Sequence, residues 1–136
     1  TSEPTLAIKA VAMNRPYAIS FGGRLDLQWA EDVARAFLLA AEKPFVGARS
    51  FNLRGAVVSI AEFHRALCDI EPRVRELISV GTQQLGIAPS LDDSEFQQCL
   101  GPLEPTPLPA GISRTLDHFR RLHAQGRLDD EVPRTK

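Results

Sequence analysis

Residues 25–41 read LDLQWAEDVARAFLLAA, and no other stretch limits the fold as strongly. Leu25-Asp26-Leu27-Gln28-Trp29 alternates and is rich in strand formers, so it reads as a short strand. Glu31-Asp32 then opens a helix, because carboxylates are favourable at a helix N-terminus. Between residues 33 and 41 only Arg35 is polar. A helix that is apolar almost all round is expected to be buried on several sides. A strand running straight into such a helix places this segment at the middle of the molecule.

With 136 residues the chain makes about one domain with a single core. Hydrophobic residues at 43% and charged residues at 24% are ordinary for a soluble globular protein. A formal net charge of −1 gives no basic footprint, so neither nucleic acid nor a membrane surface is expected as a partner. No apolar run approaches the ~18 residues of a membrane span, and no signal-peptide pattern occurs. The expected address is cytoplasmic. Cys68 and Cys99 have apolar neighbours in helix-like segments and are expected to be reduced core thiols. The chain begins in mid-sequence style at Thr1-Ser2-Glu3, which is compatible with a piece of something longer.

Pro4 suits a first helical turn, and Asn14-Arg15-Pro16 stops that helix. Residues 17–21 form a short strand, and Gly22-Gly23 turns into the 25–41 stretch. Residues 50–54 alternate and read as a strand, and Val57-Val58 fits a further extended piece. Ser59-Ile60-Ala61-Glu62 is a capping box, with Ile60, Phe63, Leu67 and Ile70 on one face of the helix behind it. Residues 74–80 read as a turn plus strand. Asp92-Asp93-Ser94-Glu95 opens another helix, which Gly101 stops. Thr106 is expected as the N-cap and Pro107 as the first residue of an amphipathic helix that carries Leu108, Ile112, Leu116 and Phe119 inward. Residues 128–136 are a polar tail, expected to fray. Short strands alternating with helices, without a repeat, give an α/β class.

The residues that carry chemistry are sparse. Gly22-Gly23 leads into a strand, so it is no dinucleotide fingerprint. No serine sits in a nucleophile elbow. His118 and His123 fall on different sides of a helix, and neither has a Cys or carboxylate at ligand spacing, so no metal site is expected. The acid pairs Glu31-Asp32 and Asp92-Asp93 each precede an apolar-periodic run and are read as helix starts. No catalytic residue is assigned.

Four motifs in order resemble the NAD-dependent epimerase/dehydratase family, the extended short-chain dehydrogenases/reductases. Asp26, Leu27, Trp29, Asp32 and Ala34 match its R-D-[FY]-x-[YH]-V-x-D-x-A segment. Ala7-Ile8-Lys9-Ala10 and Pro16 to Gly23 are similar to the helix and strand before it. Ser50-Phe51-Asn52-Leu53-Arg54-Gly55 with Val58-Ser59-Ile60-Ala61-Glu62 resembles a following strand and helix. Leu100-Gly101-Pro102 with residues 106–115 looks like the family's ending. The resemblance implies that residues 1–127 are the C-terminal, substrate-binding portion of a Rossmann-type enzyme. The half with the Gly-rich turn and the Tyr-x-x-x-Lys pair, which would bind NAD or NADP, is not in this sequence. The chain alone is then expected to be inert and to hold no cofactor, its partners being a small-molecule substrate and the cofactor-binding half. Residues 33–41 and 50–54 would lie against that half or extend it, and without it would expose apolar surface and a strand edge.

Departures from the family pattern narrow the substrate. Nucleotide-sugar members carry a diphosphate-binding Arg where Leu25 stands. Arg24 is one residue off, on the other face of a strand. A second such Arg has no counterpart, since residues 80–91 hold no basic residue. A sugar, sugar acid or small hydroxy or keto compound is therefore expected rather than a diphosphate. By the resemblance Ala18, Ser20 and Phe21 line the substrate, with Arg24 and Gln28 next in line. Phe21 fits plain core packing equally, and Arg24 a solvated turn. Asp32 and Asn52 read as structural, and Trp29 as a core anchor. Two other readings stay open: a non-enzymatic binding module on the same half-fold, and a scaffold whose apolar helix is a homodimer face.

Overall fold

The computed structural model describes residues 2–44 and 46–129. Helices α1 (Glu3–Ala12), α2 (Ala30–Glu42), α3 (Ile60–Ile70), α4 (Val74–Leu77), α5 (Ser94–Leu100) and α6 (Leu108–Ala124) alternate with short strands. The strands are β1 (Tyr17–Ile19), β2 (Arg24–Leu27), β3 (Ala56–Ser59) and β4 (Ile78–Val80). β1 pairs with β4 in parallel, Tyr17 opposite Ile78 and Ile19 opposite Val80, and β2 pairs with β3. The expected α/β class is what is found. The chain divides into two compact units, one of residues 1–24, 59–86 and 108–136 and the other of residues 25–58 and 87–107.

In the first unit, α1 packs on α6, α3 and β1, and α3 packs on α6 and β4. α1 begins with Pro4 in its first turn, and Asn14, two residues past its last, adopts a positive φ of 54°. Phe63, Ile19, Ile60, Leu67, Leu116, Val11 and Val74 are all fully buried there. The capping box is present: Glu62 N–H donates to Ser59 Oγ at 3.1 Å, and Ser59 N–H donates to Glu62 Oε2 at 2.7 Å. Glu71, just past α3, ties that helix to the start of α4 and to α6. Its carboxylate accepts from Arg73 Nε at 3.1 Å and Arg120 Nη2 at 2.5 Å, while Arg73 Nη1 reaches Asn14 Oδ1 at 3.2 Å. Hydrogen bonds from Arg73, opposed by desolvation and joined by Arg120, lower the Glu71 pKa to about 2.

The second unit is built around Ala36, Phe96 and Leu100, with Phe51, Leu53 and Leu103 packed against them. Phe51 and Phe96 meet edge-on at 6.1 Å. Asp32 is the buried polar group. It accepts from Thr106 N–H at 2.7 Å, from Thr106 Oγ1 at 2.7 Å and from Arg35 Nη2. Burial pushes its carboxyl up, but the hydrogen bonds from Thr106 and Arg35 outweigh that and hold it below its ordinary range.

Three expectations are corrected. α2 is not buried on several sides: Asp32 and Ala36 are its buried residues, while Phe37 is 71% and Leu38 64% exposed. The core of Phe96 and Leu100 covers one side of the helix and leaves the other apolar side bare. Residues 50–54 are not in a strand; among the described residues they run without a ladder, and the strand lies a few residues on, at β3. The last helix begins at Leu108, so Pro107 is not its first residue and Thr106 not its N-cap; Thr106 instead donates its hydroxyl to Asp32 Oδ1. Residues 130–136 of the expected tail lie outside the described residues.

Candidate functional site

The carboxyl ends of parallel strands are where ligands gather in α/β folds, because the chain leaves the sheet there and opens a crevice. Here that end belongs to β1 and β4. The ladder continues past both strands: Gly81 N–H donates to Ile19 O at 2.8 Å and Gly22 N–H to Gln83 O at 2.8 Å. The backbones nearly touch, since a Cβ on Gly81 would lie 2.4 Å from Ser20 O. No side chain larger than hydrogen fits, which is why glycine stands there.

Ala18 is half-buried opposite Ser79, Ser20 is exposed just past β1, and Phe21 is half-buried. These three expected substrate residues fall on one continuous piece of chain. Ser20 has a partner that the sequence reading missed. Glu3, in the first turn of α1, accepts from Ser20 N–H at 2.5 Å and from Ser20 Oγ at 2.7 Å. The same region raises the Tyr17 pKa, first through burial and then through the Glu3 charge.

Arg24 is exposed and makes an ion pair with Glu62 at 3.5 Å. Glu62 is also the capping-box residue of α3, and its pKa is lowered by the Ser59 hydrogen bonds first and by Arg24 and Arg65 after them. Arg24 is therefore directed to the start of a helix. Leu25, where the resemblance would want a cation, is buried. On α3, His64 Nε2 lies 3.1 Å from Ile78 O, and the buried Cys68 Sγ lies 3.8 Å from His64 Nδ1. Cys68 is a free core thiol, as expected; Cys99 is free and half-buried.

Gln28, the fifth expected residue, belongs to the second unit, where its Nε2 donates to Leu53 O at 2.9 Å. Asp26 Oδ1 accepts from Gly55 N–H at 2.7 Å, and Asn52 Nδ2 donates to Asp92 O at 3.1 Å. These three residues tie residues 52–55 in place, so Asn52 has the structural role expected of it. The second unit also holds an open apolar cavity of about 290 Å³ lined by Phe37, Phe51, Leu53, Phe96 and Arg49 among others. Arg49 Nη1 donates to Cys99 Sγ at 3.3 Å.

These residues do not form a dinucleotide cradle. The Gly22-Gly23 pair leads into β2, Gly22 is packed against Gly81, and the Gly23 carbonyl accepts from Ile60 N–H at 2.9 Å. A phosphate-binding turn needs glycines opening directly into a helix whose amides face the ligand. Among the described residues no group of His, Cys, Asp and Glu could hold a metal ion, and no helix is long and apolar enough to cross a membrane.

No sequence-family profile matches this chain, and no curated protein matches it. Solved structures do. MoeE5 in complex with UDP-glucuronic acid and NAD is similar at 25% identity over 85% of this chain, with a TM-score of 0.71. The UDP-glucuronic acid 4-epimerase of Bacillus cereus in complex with UDP-glucuronic acid and NAD follows at 19% identity over 88%, TM-score 0.69. A partial consensus L-threonine 3-dehydrogenase matches at 18% identity over 85%, TM-score 0.69. The chain spans 40% of the length of each of these structures. Its fold is thus that of the C-terminal portion of NAD-dependent epimerases, dehydratases and dehydrogenases of the extended Rossmann type.

Proposed function

We propose that this chain is the substrate-binding part of an NAD(P)-dependent epimerase, dehydratase or dehydrogenase, inert without a cofactor-binding half. The observation that carries the reading is the match of most of this chain to 40% of each NAD-dependent neighbour. The bare apolar side of α2 supports it: Phe37 and Leu38 are the kind of surface that a missing body covers. NAD or NADP supplies hydride transfer when bound to that half. This chain's own residues bind and orient the substrate through Ala18, Ser20 and Phe21 at the end of β1. Arg24 and Gln28 shape the edges of their own units through Glu62 and Leu53. The address is cytoplasmic.

The substrate is a sugar, sugar acid or small hydroxy or keto compound. MoeE5 and the Bacillus cereus epimerase are described with UDP-linked sugars, yet the diphosphate-binding Arg of the resemblance is replaced by the buried Leu25 here. The threonine dehydrogenase neighbour is named for a substrate without phosphate. The test is a panel of unphosphorylated hydroxy compounds and nucleotide sugars with the protein from its natural source, following reduced dinucleotide by absorbance. Turnover of an unphosphorylated compound is expected. Binding of a nucleotide sugar at micromolar strength would overturn the substrate class.

A second reading, a non-enzymatic module that dimerises through α2, draws on the same exposed Phe37 and Leu38. Sedimentation of the 136-residue chain and of Phe37→Ser separates the two: a stable dimer lost on substitution favours the module.

A further inference from the structure

The geometry points to Glu3 as a specificity-determining residue that selects uncharged, hydroxyl-rich ligands and turns phosphates and carboxylates away. This rests on the reading of the β1 end as the substrate side of an enzyme, and deepens it by narrowing the substrate to an unionised polyol or sugar.

Glu3 and Ser20 form a clasp across a chain reversal. The Ser20 amide and hydroxyl both donate to Glu3, at 2.5 and 2.7 Å. The Ser20 hydroxyl has therefore committed its proton, and what it offers outward is its lone pairs. A carboxylate has about four acceptor positions, and Ser20 fills two of them. Glu3 is half-buried and Ser20 is exposed just past the end of β1, which leaves the pair within reach of solvent. Such a set accepts O–H groups; two adjacent hydroxyls of a sugar suit one carboxylate. It offers nothing to a phosphate or carboxylate except like charge.

Two neighbours reinforce the choice. A helix N-terminus ordinarily attracts anions. Glu3 sits in the first turn of α1 and places its own carboxylate at that positive end. The nearest cation along the strand-turn segment, Arg24, is paired with Glu62. Beyond β4, Thr82, Gln83 and Gln84 are exposed and uncharged.

The experiment is an amide-resolved NMR titration of the 136-residue chain with two probes, D-glucose and inorganic pyrophosphate, on the wild type, Glu3→Gln and Ser20→Ala. In the wild type D-glucose shifts the Ser20 and Phe21 amides and pyrophosphate leaves them in place. In Glu3→Gln the D-glucose affinity falls by about tenfold, as expected when a charge-assisted hydrogen bond becomes neutral. In Ser20→Ala the D-glucose affinity falls by less, and pyrophosphate is still refused. Pyrophosphate shifting Ser20 in the wild type overturns the inference. A D-glucose response unchanged in Glu3→Gln overturns the role of Glu3 and leaves the substrate-binding reading standing. Silence of residues 18–21 toward both probes overturns both. Should Glu3→Gln not fold, an undiminished D-glucose affinity in Ser20→Ala is equally decisive against the clasp.

Discussion

The two compact units of this chain are held in different ways. The first closes a core on itself: four helices and a parallel strand pair bury a continuous set of side chains, Phe63, Leu67, Leu116 and Val11 among them. The second buries Ala36, Phe96 and Leu100 and leaves Phe37, Leu38, Ile87 and Leu91 exposed. It relies on polar ties in compensation: Asp32 to Thr106, Asp26 to Gly55 and Gln28 to Leu53. A unit of the first kind is complete by hydrophobic burial. One of the second kind is held in shape while keeping an apolar side for something else, and that is the physical content of the proposed missing half.

The contrast can be broken most forcefully at Phe63 and Phe37. Phe63→Ala removes a fully buried ring and is expected to cost about 4 kcal/mol in denaturant unfolding. Phe37→Ser removes an exposed ring of the same size and should stay within about 0.5 kcal/mol in the same measurement. Equal losses at both positions would end the comparison. Next in size is Asp32→Ala, which strands the Thr106 amide and hydroxyl. About 3 kcal/mol is expected, with faster hydrogen exchange at the Thr106 amide.

Gly81→Ala forces a Cβ to 2.4 Å from Ser20 O. It should cost about 2 kcal/mol and disturb the Ser20 amide in NMR before distant signals. The smallest effect concerns acid. The Glu71 carboxyl titrates at about 2 when folded, below its ordinary 4.5. Its contribution is present above pH 4.5 and is lost as the pH falls toward 2. Being a surface network, it is worth about 1 kcal/mol. Glu71→Gln should remove that much at pH 7 and flatten the acid limb of a melting curve.

Much of this was legible from local chemistry. The Ser59–Glu62 box, the Asn14-Arg15-Pro16 stop and the Asp92-type helix start act within a few residues, so their spacing states their geometry. The exposure of α2 is not legible in its composition, because a helix that is apolar all round does not say whether the chain itself supplies both covering surfaces. Residues 50–54 alternate like a strand, but alternation cannot provide a ladder partner. Of the substrate side, Ala18, Ser20 and Phe21 could be named from the resemblance, whereas Glu3 could not, its tie to Ser20 being long-range. A signal existed. A helix of ten residues rises about 15 Å and a four-residue extended piece spans about 13 Å, so a reversal at residues 13–16 returns Ser20 to the level of Glu3.

The central claim is that this chain binds substrate for a cofactor site located elsewhere. The most direct test pairs the intact mass of the protein from its natural source with calorimetric titration of NAD and NADP into that material and into the 136-residue chain. The account predicts a native species longer than 136 residues that binds dinucleotide, and no binding heat from the 136-residue chain. A native species of this length, or dinucleotide binding by the 136-residue chain alone, would contradict it.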